Sequence, residues 1–195
     1  MALRQRLDLL RWELRQVKQL IGAHRSRHSS FDARAATWDT PEKVQRAVWV
    51  GDEIRQFAWF RAAPEAMGRC LDFGCGTGLL SFELQKHCRH VTGLDESSGM
   101  VEVMQEKICA AGLGSKMMAT KSPLATLGDF DLIVSLLCIH HVRDCQAQLG
   151  ELARHLSRGG RVVIVDFEAT ENARLFHKKS EAKGDHYEHD GCLGM

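Results

Sequence analysis

Residues 71–79 read Leu71-Asp72-Phe73-Gly74-Cys75-Gly76-Thr77-Gly78-Leu79: an apolar run carrying one acid, then three alternating glycines, then the start of a helical pattern. Glycines let a chain turn tightly and bring its backbone close to a ligand, and a helix that follows points N–H groups at an anion. A glycine-rich turn alone is a weak signal. The next apolar run strengthens it, because that run ends in Asp95, 19 residues beyond Gly76, where a carboxylate can accept hydrogen bonds from ribose hydroxyls. Loop and acid together point to a nucleoside ligand.

Gly76-Thr77-Gly78-Leu79-Leu80-Ser81 is one small residue short of the dinucleotide pattern G-x-G-x-x-G/A, which makes NAD a competitor. Asp72 argues the other way, since it stands two residues before the first glycine, where a pyrophosphate would have to tolerate its charge. S-adenosylmethionine carries an ammonium and a single carboxylate, so an acid beside glycines suits it better.

Outward from the loop, the chain alternates strand and helix. Residues 69–73, 90–94, 116–120, 130–137 and 161–167 are apolar or β-branched runs and predict five strands. Residues 79–88, 98–111 and 146–156 predict helices, the last ended by Ser157-Arg158-Gly159-Gly160, and 41–63 predicts a helix ahead of the sheet. This order implies an α/β fold of Rossmann-like, doubly wound type: a mostly parallel sheet with helices on both faces. After the fifth strand only residues 168–195 remain, with no run suited to a sixth or seventh strand. The fifth strand is therefore expected at a sheet edge, as a place for self-association.

Residues 1–28 differ in kind from 29–195, the expected catalytic domain. They hold seven Lys/Arg against two acids, and Leu3, Leu7, Leu10, Leu14, Val17 and Ile21 repeat at helical spacing. An amphipathic helix lying on its own domain, a short coiled-coil dimer and a mitochondrial targeting segment all fit this pattern. Otherwise Lys plus Arg (26) nearly balance Asp plus Glu (25), for a net charge of +1, which gives no field to recruit nucleic acid. No apolar stretch is long enough to span a membrane. The seven cysteines contain no C-x-x-C pair and read as free thiols, consistent with a cytoplasmic setting.

With Asp72, Gly74, Gly76 and Gly78 quoted, the chain resembles the class I S-adenosylmethionine-dependent methyltransferases, whose first motif is an acid followed by G-x-G-x-G. The resemblance extends through residues 91–100, which match the family's second strand and its D-x-S-x-x-M turn, and through 130–135 with His140-His141-Val142 and 156–166. Residues 31–39, Phe31 to Asp39, are similar to the segment that folds over the cofactor in the ubiquinone/menaquinone-biosynthesis type of small-molecule methyltransferase.

The resemblance implies S-adenosylmethionine as cofactor and a small-molecule methyl acceptor. By position, it implies that Asp72 and the backbone of Gly74 and Gly76 hold the methionine end, Asp95 the ribose, and Glu96 and Met100 the adenine. Gly78 completes the loop, Cys75 lies inside it, and Leu137 and Cys138 line the methyl-transfer end. Trp38 is placed either against the cofactor or in lid packing. If the acceptor must lose a proton, His140 and His141 are the candidate catalytic bases, because open α/β sheets put ligands beyond their strand ends. No metal is called for. His177, His186, His189 and Cys192 form an H-x-x-H-x-x-C tail that reads as polar or pocket-lining rather than as a metal site. Two other functions compete with methyl transfer to a small molecule: a catalytically weak cofactor-binding scaffold associating through its N-terminal helix, and, last, a NAD-dependent oxidoreductase.

Overall fold

A computed structural model of the chain describes residues 30–62 and 67–167. The heptad-patterned segment and the His/Cys tail lie outside the described residues, and so does the stretch read as too short for further strands.

Five strands, β1 (Arg69–Phe73), β2 (His90–Leu94), β3 (Met117–Thr120), β4 (Phe130–Leu136) and β5 (Leu156–Val165), form one sheet in the order β3-β2-β1-β4-β5. Every pairing is parallel. Parallel strands are usually buried on both faces, and the alternation shows it: Cys70, Val91, Leu132 and Val134 join one core cluster, whereas Leu71, Leu94 and Ile133 join another. The first cluster packs against α1 (Pro41–Gln56) through Ala47, Val50 and Ile54, α2 (Ala58–Arg61) through Phe60, α3 (Leu79–Leu84) through Leu80 and Leu84, and α4 (Ser98–Ala110) through Met104 and Ile108. The second is closed by Leu152 of α5 (Cys145–Arg154) and by Ile139. Helices therefore cover both faces, as the alternating pattern predicts.

Local signals set most of the helix starts. Pro41 begins α1 after Thr40, where its missing N–H costs nothing. The Ser97 hydroxyl accepts from the Met100 N–H at 3.2 Å to open α4, and an Asp144 carboxylate oxygen accepts from the Ala147 N–H at 2.8 Å to open α5.

Beyond shifts of one or two residues elsewhere, four places depart from the sequence reading. The helix expected over 41–63 breaks at Phe57, whose extended ψ of 134° divides α1 from α2. α3 stops at Leu84, four residues before the expected end. β4 ends at Leu136, because Leu137 takes a left-handed φ of 52°. Ser157-Arg158-Gly159-Gly160, read as the end of a helix, lies within β5: Phe130 pairs with Leu156 but Leu132 pairs with Arg161, so the four residues bulge out of the ladder. Gly159 at φ 82° makes this bulge possible.

Among the described residues β5 is the outer strand on its side of the sheet, and none of its ten residues is fully buried. Among the described residues Cys70, Cys75, Cys88, Cys109 and Cys138 are free thiols, as expected. Among the described residues no helix is long and apolar enough to cross a membrane, and no group of three or more His, Cys, Asp and Glu side chains is arranged to hold a metal ion.

Candidate functional site

The sheet order reverses direction between β1 and β4, so the loops leaving these two strands diverge and open a crevice at their C-terminal ends. Residues 74–78 form one wall and 137–141 the other. The Ser135 hydroxyl donates to the Phe73 carbonyl at 2.9 Å, tying the two strands together immediately below the opening.

Gly74, Gly76 and Gly78 all have positive φ, at 72°, 53° and 86°. The Gly74 and Cys75 N–H groups donate to the Leu94 carbonyl at 2.8 and 3.1 Å, which folds the loop back over the end of β2. Gly74 also needs its missing side chain, because a Cβ there would lie 2.1 Å from the Cys138 Sγ. The two walls therefore touch here, the Gly74 backbone against the Cys138 side chain.

Asp95 follows β2 and holds the loop in place. One carboxylate oxygen accepts from the Gly76 N–H at 2.8 Å and the other from the Ser97 N–H at 2.9 Å. Asp72 lies beneath the loop, 1% exposed, and accepts from the Ser81 hydroxyl at 2.6 Å. Burial pushes its carboxyl up to about 6, and the charge of Asp95 adds to the effect, while the Ser81 bond opposes it. Trp38 and Met100 both sit at the open side of Gly76: the indole nitrogen and the Met100 sulfur lie 3.6 and 3.9 Å from where a Cβ would be. Glu96 is exposed beside Asp95.

The far wall begins with Leu137, whose N–H still donates to the Val165 carbonyl at 2.8 Å. Desolvation raises the Cys138 thiol well above its ordinary range, reinforced by the carboxylates of Asp95, Asp166, Asp72 and Glu96. The same two causes, with Asp72 as the main charge, raise Cys75. Both thiols are therefore protonated and poor nucleophiles. His140 is buried, and its Nδ1 lies 2.6 Å from one carboxylate oxygen of Asp166, just past β5. The His141 ring lies against it with centroids 3.9 Å apart.

Residues 30–34 are helical and continue into a 3-10 turn at Ala35–Thr37, and this segment is fastened to the glycine-loop side of the crevice by two aspartates. Asp32 accepts from the Ser97 hydroxyl at 2.5 Å and the Gly99 N–H at 2.8 Å. Asp39 accepts from the Thr77 hydroxyl at 2.5 Å and from Lys107 at 2.9 Å. The Lys43 ammonium stands 3.5 Å from the Trp38 ring centroid and donates to the Trp38 carbonyl at 3.1 Å.

The structure thus gathers Trp38, Asp72, Gly74, Cys75, Gly76, Gly78, Asp95, Glu96 and Met100 around one wall, and Leu137, Cys138, His140 and His141 along the other. Sequence reasoning missed Asp32, Asp39, Lys107 and Asp166 as site-building residues. Asp32 and Asp39 lie in the segment 31–39 that the resemblance places over the cofactor, and Asp166 carried a signal as an acid directly after an apolar run, the same placement that singled out Asp95.

Residues 71–164 match the family model described as a methyltransferase domain. Over these residues the chain carries a methyltransferase domain, and it shares the fold of an S-adenosylmethionine-dependent methyltransferase from Clostridium acetobutylicum. It is 30% identical over 144 residues to a ubiquinone/menaquinone biosynthesis C-methyltransferase of Geotalea daltonii, covering 70% of this chain and 61% of that protein. It is 34% identical over 140 residues to a demethylmenaquinone methyltransferase of Clavibacter sepedonicus, covering 70% and 56%. The methyltransferase fold is shared with magnesium protoporphyrin IX methyltransferase from Synechocystis, solved with bound S-adenosylhomocysteine, at a TM-score of 0.58 and 24% identity, covering 84% of this chain and 78% of that one. The chain spans somewhat over half the length of these two curated relatives.

Proposed function

We propose that the protein binds S-adenosylmethionine in the crevice between β1 and β4 and transfers its methyl group to a small-molecule acceptor. The observation that carries this reading is the glycine loop at the strand reversal, pinned through Gly76 by the carboxylate that follows β2.

The chemistry of the donor set fits the cofactor. Asp72, Asp95, Glu96 and Asp166 all act on Cys138, so the crevice is strongly negative at its centre. Such a field favours a sulfonium and an ammonium, and works against the pyrophosphate of a dinucleotide. Asp72 acts from beneath the loop, through the field, whereas Gly74 and Gly76 expose backbone to the ligand. Asp95, Glu96 and Met100 flank the nucleoside end, and Leu137 and Cys138 face the methyl group. Trp38 lies over the loop with its cationic neighbour Lys43, and closes the site from above.

When bound, S-adenosylmethionine supplies an electrophilic methyl group. The protein's part is to align the acceptor with it and exclude water, which the segment 30–39 does by bridging both sides of the loop. Calorimetry with S-adenosylhomocysteine and a melting-shift comparison with NAD test the reading. Binding of the former alone supports it, whereas stabilisation by NAD alone overturns it.

A further inference from the structure

A second concave feature lies at the opposite end of the sheet from the crevice. Met67 before β1, Asp131 near the start of β4, and Arg158 to Arg161 in the β5 bulge enclose, together with Trp59, a recess of about 190 Å³. Strands rise about 3.3 Å per residue, which puts about 20 Å between this recess and the glycine loop. Arg158 is exposed, and no group among the described residues pairs with it. Arg161 is exposed as well. Its guanidinium donates to the Gly159 and Gly160 carbonyls of its own bulge, at 2.6 and 3.2 Å, and stands 6.0 Å from the Trp59 ring centroid. Asp131 accepts from the Arg69 N–H at 2.8 Å. Arg89 stands beside it, since a Cβ on Gly68 would lie 2.3 Å from the Asp131 Oδ2 and 3.4 Å from an Arg89 nitrogen.

Rings and cations continue outward from the recess. Phe57, 47% exposed, stacks on Trp59 with centroids 5.5 Å apart and planes 14° from parallel. Trp59 meets Phe60 edge-on at 5.7 Å, and Phe60 meets His87 at 6.0 Å. Around His87 stand Arg55, Lys86 and Lys116, whose charges add to burial in holding its imidazole below the ordinary range, against Glu83. Asp52 and Glu83 pair with Arg55 and Lys86, and Asp131 lies beside Arg89, so among the described residues Lys116, Arg158 and Arg161 are left without an acid. The net charge of +1 conceals this separation: carboxylates gather at the crevice, and guanidinium and ammonium groups at the far edge of the sheet.

We propose that this edge binds single-stranded nucleic acid, with phosphates on Arg158 and Arg161 and a base extending the Trp59–Phe57 stack on the outer face of Phe57. Unpaired cations in a row attract a polyanion, and each phosphate they neutralise releases counterions. The flat rings between the cations then select among polyanions. An unstacked base can lie on such a ring, whereas the bases of a duplex are stacked on one another and out of reach. An anionic bilayer presents a broad surface that does not enter a recess, and the Trp59 ring, half-buried and already stacked, has no free body to insert. Nothing here depends on methyl transfer, whose crevice lies at the other end of the strands.

Fluorescence anisotropy of a labelled, mixed-sequence RNA strand of about 12 nucleotides, titrated with the full chain at rising salt, tests this. Binding should weaken steeply with salt, and should be about tenfold or more tighter than for a duplex of the same sequence. Arg158→Gln should reduce the slope of log affinity against log salt by about 0.7, and Arg158→Gln with Arg161→Gln by about 1.4. Phe57→Ala should weaken binding about tenfold at unchanged slope, and Phe57→Tyr should restore it, because a ring and not a charge is removed. Lys121→Gln, which takes away a cation bonded to Ser98 beyond the other end of β3, should alter neither affinity nor slope. Arg158 is exposed and unpaired, so its variant keeps the fold, and an unchanged salt slope in it overturns the proposal by itself. So does absence of binding at low salt, equal affinity for the duplex, a loss in Lys121→Gln equal to that in Arg158→Gln, or capture by phosphatidylserine vesicles without binding of the strand. S-adenosylhomocysteine affinity should be the same with and without the strand, and failure to bind that compound at all overturns the cofactor reading alone.

Discussion

β4 and β5 are neighbours in one sheet, paired residue for residue from Leu132 to Leu136, yet they stand on different foundations. In β4, Phe130, Leu132, Ile133, Val134 and Ser135 are all at or below 1% exposed, because β1 covers one side and helices cover both faces. In β5 no residue is fully buried, and Ile164 is 36% exposed. The crevice inherits this inequality. Its glycine-loop wall stands on the best-packed part of the core, whereas the His140 wall relies on β5 through the paired bonds of Asp166 to His140. The glycine-loop side is made rigid by packing, and the His140 side by a few polar contacts.

The largest effect should come from the packed side. In Gly74→Val a Cβ meets the Cys138 Sγ at 2.1 Å and its Cβ at 2.5 Å, in a left-handed conformation that β-branched residues avoid. A loss on the order of 5 kcal/mol is expected, read as a collapse of the melting temperature. Gly76→Ala has similar backbone strain but open space, with its nearest neighbour at 3.6 Å, and should cost only about 1 kcal/mol. Equal costs at the two positions would show that the walls do not touch as described.

Ile133→Ala comes next. Its side chain is fully buried in the second core cluster, and deletion should cost about 3 kcal/mol by denaturant unfolding.

Asp72→Asn should act in the opposite direction. A carboxyl raised to about 6 in the folded state keeps its proton longer than in the unfolded chain, where it titrates near 4. Stability should therefore fall as pH rises from about 4 to 6, and the loss remains in full above that. Replacing the acid should flatten this slope and raise stability at pH 7 by about 2 kcal/mol. The same residue should make cofactor binding stronger as pH rises through 6, since the ionised form attracts the ammonium, and Asn should remove that dependence. An unaltered pH profile in both measurements would mean that Asp72 is not the buried charge of this site.

Much of this inequality could be read before any coordinates. The runs around Leu71, Val91 and Ile133 are apolar because both faces are covered, and the sequence pattern reports burial directly. The glycines and Asp95 were legible because left-handed turns and a carboxylate that anchors them fix residue type and spacing. Boundaries were harder: Gly159-Gly160 marks a helix end as readily as a strand bulge, and only pairing with Phe130 and Leu132 decides between them. Phe57 breaks its helix with no proline or glycine to announce it. Asp72 was legible as an acid beside a loop, but its burial depends on Ser81 and the strands around it. The grip of Asp166 on His140 joins residues 26 apart that follow different strands, a relation that no local pattern encodes.

The smallest expected effect tests the exposed side. Ile164 pairs with Ser135 in the ladder, but its side chain is more than a third exposed, so Ile164→Ala removes little buried surface and should cost under about 1 kcal/mol. Amide hydrogen exchange supplies the matching readout. Protection in β4 should approach the global unfolding limit, whereas β5 amides should exchange through smaller openings that leave β4 closed. A cost at Ile164 comparable to that at Ile133, together with equal protection in the two strands, would mean that another segment or a second molecule covers β5 in solution. The His140 wall would then be as firmly founded as the glycine-loop wall, and the His140–Asp166 pair would no longer be its main support.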